Sequence, residues 1–430
     1  MLTGMPTDRL TPEQAPPLSL PLCFFFTAPF FLLAAGCILI FGAEEILPHY
    51  WMTKTLGLAH AGTLGFLAMV MFGAVYQMIP VVAGRPVPLI KLGYIVYLLF
   101  VPAVILMIWG ISTLKPPLLQ RATELLTVAT LLFGLPTLYA AFTAPTKHDT
   151  VLGIRMALIA LFCTVGLGIC LALSYLGILY PGPRSLWIVT HFTFGLFGWV
   201  ATLMIAVAWQ VIPMFYMTPF YAPHLTRLFL WLLGGGLIVT ALGWIAGIVW
   251  EEESLVLAGL SILAFTAWVL HPALTAYLIT KRRRSNRDGS LNFWRCGLIC
   301  APLALLSGLC GYLLSDLRYL MLFGWVAIFG WAGLIMHGML CRIVPFLVWF
   351  HRFSPFVGKI LVPSMKKLLP ETRISQALYL HLITLVCGSV AILTQSVALT
   401  KVTGALLGIT ALVMFRNTTG TLKHKVVTDQ

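Results

Sequence analysis

Charge is what this chain has least of. Only nine percent of its 430 residues are Asp, Glu, Lys or Arg, against about 25% in an average soluble domain. Sixty percent are hydrophobic, more apolar surface than a water-soluble fold can hide, so the composition excludes a soluble globular protein. The thirteen acidic residues fall in tails, loops or helix ends, which leaves no carboxylate at membrane depth. Intramembrane ionisable groups are costly and mark relays and ion paths, so their absence argues against a proton pump or a cation-coupled transporter. Paired cysteines are missing as well. The nine cysteines are scattered without a CxxC pair, and Cys296 and Cys300, one turn apart, read as small polarizable core residues. Neither a disulfide framework nor a zinc site is implied.

What the chain does have is long apolar runs. A helix needs about 20 residues to cross a hydrocarbon layer of about 30 Å. Runs of that kind are read at 21–43, 55–80, 93–114, 122–143, 152–180, 186–213, 226–250, 254–280, 295–315, 318–347, 375–396 and 399–416. The expectation is an all-α polytopic membrane protein of twelve transmembrane helices in three pseudo-symmetric groups of four. The groups fall at about 21–145, 150–285 and 293–416 within a membrane domain at 21–416. The polar, proline-rich residues 1–20 read as a disordered cytoplasmic tail, and 417–430 as a second tail.

Lys and Arg concentrate in short cytoplasmic loops. Sixteen of them follow even-numbered helices, from Arg85 and Lys91 to Lys367 and Arg373, whereas the odd loops hold Lys54, Lys115, Arg121, Arg184, Arg318 and Lys401 beside Glu44, Glu45 and Glu251 to Glu253. Both termini are therefore expected in the cytoplasm. The net charge of +14 is mainly a topology signal, and the run KRRRSNR at 281–287 suits anionic lipid headgroups rather than nucleic acid.

The repeat itself is visible in sixteen-residue segments. They read GFLAMVMFGAVYQMIP from Gly65, GWVATLMIAVAWQVIP from Gly198 and GWAGLIMHGMLCRIVP from Gly330, starting 133 and 132 residues apart. Glycine opens each segment and allows close helix approach, while Pro80, Pro213 and Pro345 close them. One polar column holds Gln77, Gln210 and Arg342, which would form a ring near the cytoplasmic end or snorkel to headgroups. His60 lies 20 residues before Pro80 and His191 lies 22 before Pro213, so both fall near the external ends of parallel helices and are read as cofactor ligands. His337, with Met336, Met339 and Cys341 close by, is a third metal-ligand candidate. His271 and His381 share its depth and read as packing histidines that bond a neighbour.

The segments HAGTLGFLAMVMFGAVYQMIPVVAGRP and HFTFGLFGWVATLMIAVAWQVIPMF resemble the histidine-bearing helices of subunit I of the heme-copper oxidases, above all the cbb-type oxidases and nitric oxide reductases. The resemblance implies twelve core helices in three groups of four, cytoplasmic termini, and hemes toward the outer face. It places His60 as axial ligand of a low-spin heme and His191 on the helix that carries a copper-site histidine. Two departures follow. Helix 7, LTRLFLWLLGGGLIVTALGWIAGIVW, has no histidine for a three-histidine copper site, and helix 10 reads FGWVAIFGW, with Trp325 five residues before Gly330 where heme ligands would stand.

A terminal oxidase is thus excluded. The chain is similar instead to distant non-oxidase relatives such as the NnrS membrane proteins. What this implies is a bacterial inner-membrane protein that binds heme or copper through His60 and His191. Such a protein would exchange electrons with a respiratory-chain donor, handle heme or respond to nitric oxide. The other reading is a cofactor-free transporter or respiratory-complex assembly factor.

Overall fold

A computed structural model of the chain describes residues 14–424 apart from 48, 50, 147, 178–181 and 284–286. The outer parts of both expected tails, 1–13 and 425–430, and the centre of the basic run lie outside the described residues. Twelve helices are long and apolar enough to cross a membrane: α1 Ser19–Ile46, α2 Thr53–Ala83, α3 Leu92–Thr113, α4 Pro116–Phe142, α5 Asp149–Ser174, α6 Arg184–Tyr216, α7 Pro223–Trp250, α8 Ser254–Thr280, α9 Gly289–Leu314, α10 Leu317–Arg352, α11 Glu371–Thr394 and α12 Val397–Lys423. No strand occurs among the described residues. The protein is all-α and multi-pass, because only a helix satisfies its own backbone hydrogen bonds inside lipid. The last helix reaches past residue 416, where the hydropathy pattern alone would end it.

The repeated segments occupy the three most buried helices. In α2, α6 and α10 the apolar window is 83, 83 and 61% buried, against 50% or less in every other span. Each repeated glycine meets the preceding helix. A Cβ on Gly65 would stand 2.5 Å from Phe31 of α1, one on Gly198 would stand 2.7 Å from Ala160 of α5, and one on Gly330 would stand 3.3 Å from Cys300 of α9. The same contact recurs at the same place in each group of four. The prolines do not end these helices, which continue to Ala83, Tyr216 and Arg352. A membrane helix tolerates proline because neighbours can satisfy the freed carbonyl.

Each repeated helix also contains a π-helical stretch that spans its glycine: Ala61–Ala68 in α2, Thr193–Ala201 in α6 and Val326–Gly333 in α10. A fourth, Thr266–Leu270, lies in α8 directly before His271. These i→i+5 turns are rare and concentrate at functional positions.

Packing groups the chain into two compact units. One takes Ala74–Leu106 and Pro116–Ser285, and the other takes Leu18–Gly73, Met107–Lys115 and Asn286–Gln430. In the first, α7 and α8 approach closely enough that a Cβ on Gly236 would lie 2.7 Å from Leu263. In the second, α1 and α12 touch backbone to backbone, with a Cβ on Gly404 placed 2.5 Å from the Gly36 carbonyl oxygen.

Candidate functional site

His60 and His191 sit at one register. Each is the eighth residue of its helix, counted from Thr53 and Arg184, so each lies about 10 Å along it at about 1.5 Å per residue. Both rings are half-buried. His60 Nδ1 lies 2.8 Å from the carbonyl oxygen of Leu56, one turn back in α2. His191 Nδ1 lies 3.0 Å from the carbonyl oxygen of Thr164 on α5. A carbonyl only accepts, so Nδ1 carries the hydrogen in both rings, and in a neutral imidazole the lone pair is then on Nε2. His191 lies over Gly168 of α5, where a Cβ would come 3.0 Å from its ring. Beyond it, Trp187 and Trp244 meet edge to face at 5.0 Å. The first unit holds His191 and the second holds His60.

A different pair of histidines forms a buried polar cluster in the second unit. His337 of α10 and His381 of α11 are both fully buried, with their Nδ1 atoms 3.1 Å apart. His381 Nε2 lies 3.0 Å from the Phe329 carbonyl oxygen, a carbonyl of the π-helical stretch. Burying a charged ring costs far more than burying a neutral one, and two neutral rings can satisfy these bonds in one way. His381 donates from Nε2 to Phe329 and accepts at Nδ1, so His337 donates from Nδ1 and keeps its lone pair on Nε2. That Nε2 is buried and has no hydrogen-bond partner among the described residues.

Aromatic rings fix this pair on both sides. Phe329 stacks on His381 at 4.0 Å and 11°, and Trp325 stacks on Phe329 at 4.7 Å. Trp325 also donates to the Leu385 carbonyl oxygen at 3.0 Å, holding α10 to α11. Phe293 of α9 packs on His337 at 4.6 Å. Nearby, the Trp294 indole N–H points at the sulfur of Met339 at 3.0 Å. Sequence reasoning set His381 aside as a packing residue. The usable signal was its shared depth with His337, on two spans that follow one another in sequence.

His271 is the third buried histidine, in the first unit. Its Nε2 lies 3.1 Å from the Thr275 hydroxyl, which lies 2.9 Å from the Tyr221 hydroxyl. Either direction of donation is possible along this chain, because both hydroxyls donate and accept. Burial pushes the pKa of the Tyr221 hydroxyl up, against the opposing effect of the Thr275 hydrogen bond. His271 Nδ1 is buried with no partner among the described residues. Neither Tyr221 nor Thr275 stands out in the sequence, because an isolated hydroxyl gives no periodic pattern.

The polar column divides. Gln77 is buried and its Oε1 lacks a partner among the described residues, whereas Gln210 is half-buried. Arg342 pairs with Asp288 at 3.5 Å. Asp288 caps α9 by accepting from the Leu291 N–H at 3.2 Å, and Glu371 accepts the Gly289 N–H at 2.8 Å, so the ends of α9, α10 and α11 are tied together. Among the described residues no group of three or more His, Cys, Asp or Glu is placed to hold a metal ion. A copper or zinc centre with three or more such ligands is therefore not formed by them. No protein-family model matches the chain, and no curated protein matches it.

Proposed function

We propose that this multi-pass membrane protein is a heme-binding redox protein of a bacterial inner membrane, in which His60 and His191, near the external face, are the residues that would hold heme iron. One observation carries the reading. Two histidines at one register of two repeated helices have Nδ1 committed to a backbone carbonyl, which fixes the tautomer, orients the ring and leaves Nε2 as the lone-pair nitrogen. A metal-bound histidine almost always donates its other N–H in this way, and neutral imidazole suits iron or copper. The lack of a three-ligand cluster among the described residues favours heme over a copper centre for these two positions, since a heme iron takes four ligands from its own macrocycle and one or two from the protein.

Bound heme would supply a reversible one-electron couple, fitting electron transfer, heme handling or a response to nitric oxide. The protein's own contribution is to hold the two rings and keep their Nδ1 hydrogens engaged, with Trp187 and Phe194 of an apolar cluster one turn before and one turn after His191 on α6. Absorbance of the purified protein is the test. A Soret band with narrow visible bands in the reduced state is expected, with loss of heme in His60→Ala or His191→Ala. A colourless protein, with no heme taken up on reconstitution, would sink the reading and favour a cofactor-free transporter or assembly factor.

A further inference from the structure

The connection between α10 and α11, residues 353–370, mixes open apolar side chains with cations. It joins two spans, so it lies at one face of the membrane. It holds Lys359, Lys366 and Lys367 and no acidic residue. All three lysines are exposed, and the ion pairs among the described residues include none of them. Positive charge in such a loop is by itself a topology signal. Topology does not explain the apolar side chains between the lysines. Val357 is 54% exposed, Leu361 100% and Met365 37%. A leucine left wholly in water forfeits the favourable transfer of its side chain, so this segment has the composition of an interfacial face, apolar on one side and basic on the other.

A hydrogen bond holds the segment against the end of its span. The Trp349 indole N–H donates to the Pro363 carbonyl oxygen at 2.8 Å, which puts Pro363 at the level of the last turn of α10, a helix that ends at Arg352. Leu361 is two residues from Pro363 and so lies within about 7 Å of it. Trp349 is half-buried, and tryptophan gathers at the headgroup level of a bilayer. At the other end Leu368 and Leu369 are buried, so the chain is pinned on both sides of its exposed apolar stretch.

Charge selects the occupant. The Arg352 guanidinium donates from Nη1 to the Leu422 carbonyl oxygen at 2.8 Å, which brings the end of α12 to this place, and Arg352, Arg373 and Lys423 are exposed there as well. The acidic groups nearby are engaged, Asp288 with Arg342 and Glu371 with the Gly289 N–H. An anionic leaflet attracts such a cluster of Lys and Arg just outside a span. The exposed apolar stretch is also continuous with a lipid-facing surface, since Tyr379 and Ile383 of α11 are exposed in turn.

We propose that the 353–370 connection is an interfacial anchor for anionic lipid, in which Val357, Leu361 and Met365 enter the boundary of the acyl chains while Lys359, Lys366 and Lys367 hold the phosphate-bearing headgroups of the same leaflet. The heme reading plays no part in it.

The test uses the full-length protein in nanodiscs, which leave both faces open, so it does not depend on sidedness. A nitroxide is placed at Leu361→Cys in a Cys37→Ser background, which removes the exposed native cysteine, and the labelled background alone supplies the signal to subtract. Discs of phosphatidylcholine mixed with phosphatidylglycerol are compared with discs of phosphatidylcholine. The ratio of oxygen to nickel-chelate collision rates rises as the label is immersed, and it should be higher by about twofold or more in the anionic discs. Lys359→Gln alone should reduce that difference, and Lys359→Gln with Lys366→Gln and Lys367→Gln should abolish it, as should high salt, which screens headgroup attraction. Equal ratios in the two discs would overturn the proposal, with the label open to the chelate if the patch serves an acidic soluble partner, or immersed in both if the apolar residues insert without regard to charge. A difference that survives the triple substitution would overturn it too, because the lysines would then not hold the headgroups.

Discussion

At the scale of residues, the buried imidazoles differ in what they can do because their partners differ. The His337–His381 chain ends on a carbonyl, which cannot pass a proton on, so it fixes a tautomer. The His271–Thr275–Tyr221 chain runs through two hydroxyls that can both turn round, so it fixes none. Thr275 is the shared link, fully buried. Thr275→Val keeps the shape and strands Tyr221 and His271 together, so it should cost about 1–3 kcal/mol, read as a lower midpoint of thermal unfolding in detergent. An unchanged midpoint would mean that water replaces the hydroxyl. Outside the spans, Asp316 is held below the usual carboxylate range, first by the Arg318 side chain and then by its backbone N–H. A depressed folded pKa stabilises above the unfolded value of about 3.9 and is lost as pH falls through the folded one. Arg318→Gln should therefore raise the Asp316 midpoint in an NMR titration, and a midpoint already at 3.9 in the wild type would contradict this.

At the scale of elements, the three repeated helices share a contact but not its tightness. A methyl group on Gly65 would press on the Phe31 Cβ and ring at 2.5 Å, atoms close to the α1 backbone that cannot swing away, whereas on Gly330 it would meet Cys300 at 3.3 Å. Gly65→Ala should destabilise by about 1–3 kcal/mol through overpacking. Gly330→Ala should cost distinctly less, and equal midpoints for the two variants would contradict the contact. The glycines were legible as a repeat. The π-helical turns were not, since they arise when packing forces one extra residue into a turn, and hydropathy spaced for 3.6 residues does not register it. Pro80 and Pro213 misled in the other direction: by local preference they mark helix ends, and helices 2 and 6 are read as ending there, but α2 and α6 run on to Ala83 and Tyr216.

At the scale of the whole molecule, an even number of crossings puts both chain ends on one side. Reporter fusions at the N- and C-termini should give the same sidedness, and the basic segment at 281–287 should share it, since it follows an even-numbered helix. Opposite sidedness of the two termini would mean that one of the twelve helices does not cross.

The amino-acid sequence by itself determined the solvent, the class and the count: too little charge for water, twelve runs long enough for lipid, and three copies of one segment. It also set His60 and His191 at one register of their helices, because position along a helix is a matter of residue number. Which imidazole nitrogen holds the hydrogen was beyond it, for that depends on a carbonyl in the next helix or one turn away. Only tertiary structure brought α10 beside α11, so that two histidines 44 residues apart became one hydrogen-bonded pair with a single lone pair left over. Side chains meet across helix faces, and the pairing of faces is decided by glycine contacts and aromatic stacking that no single helix contains.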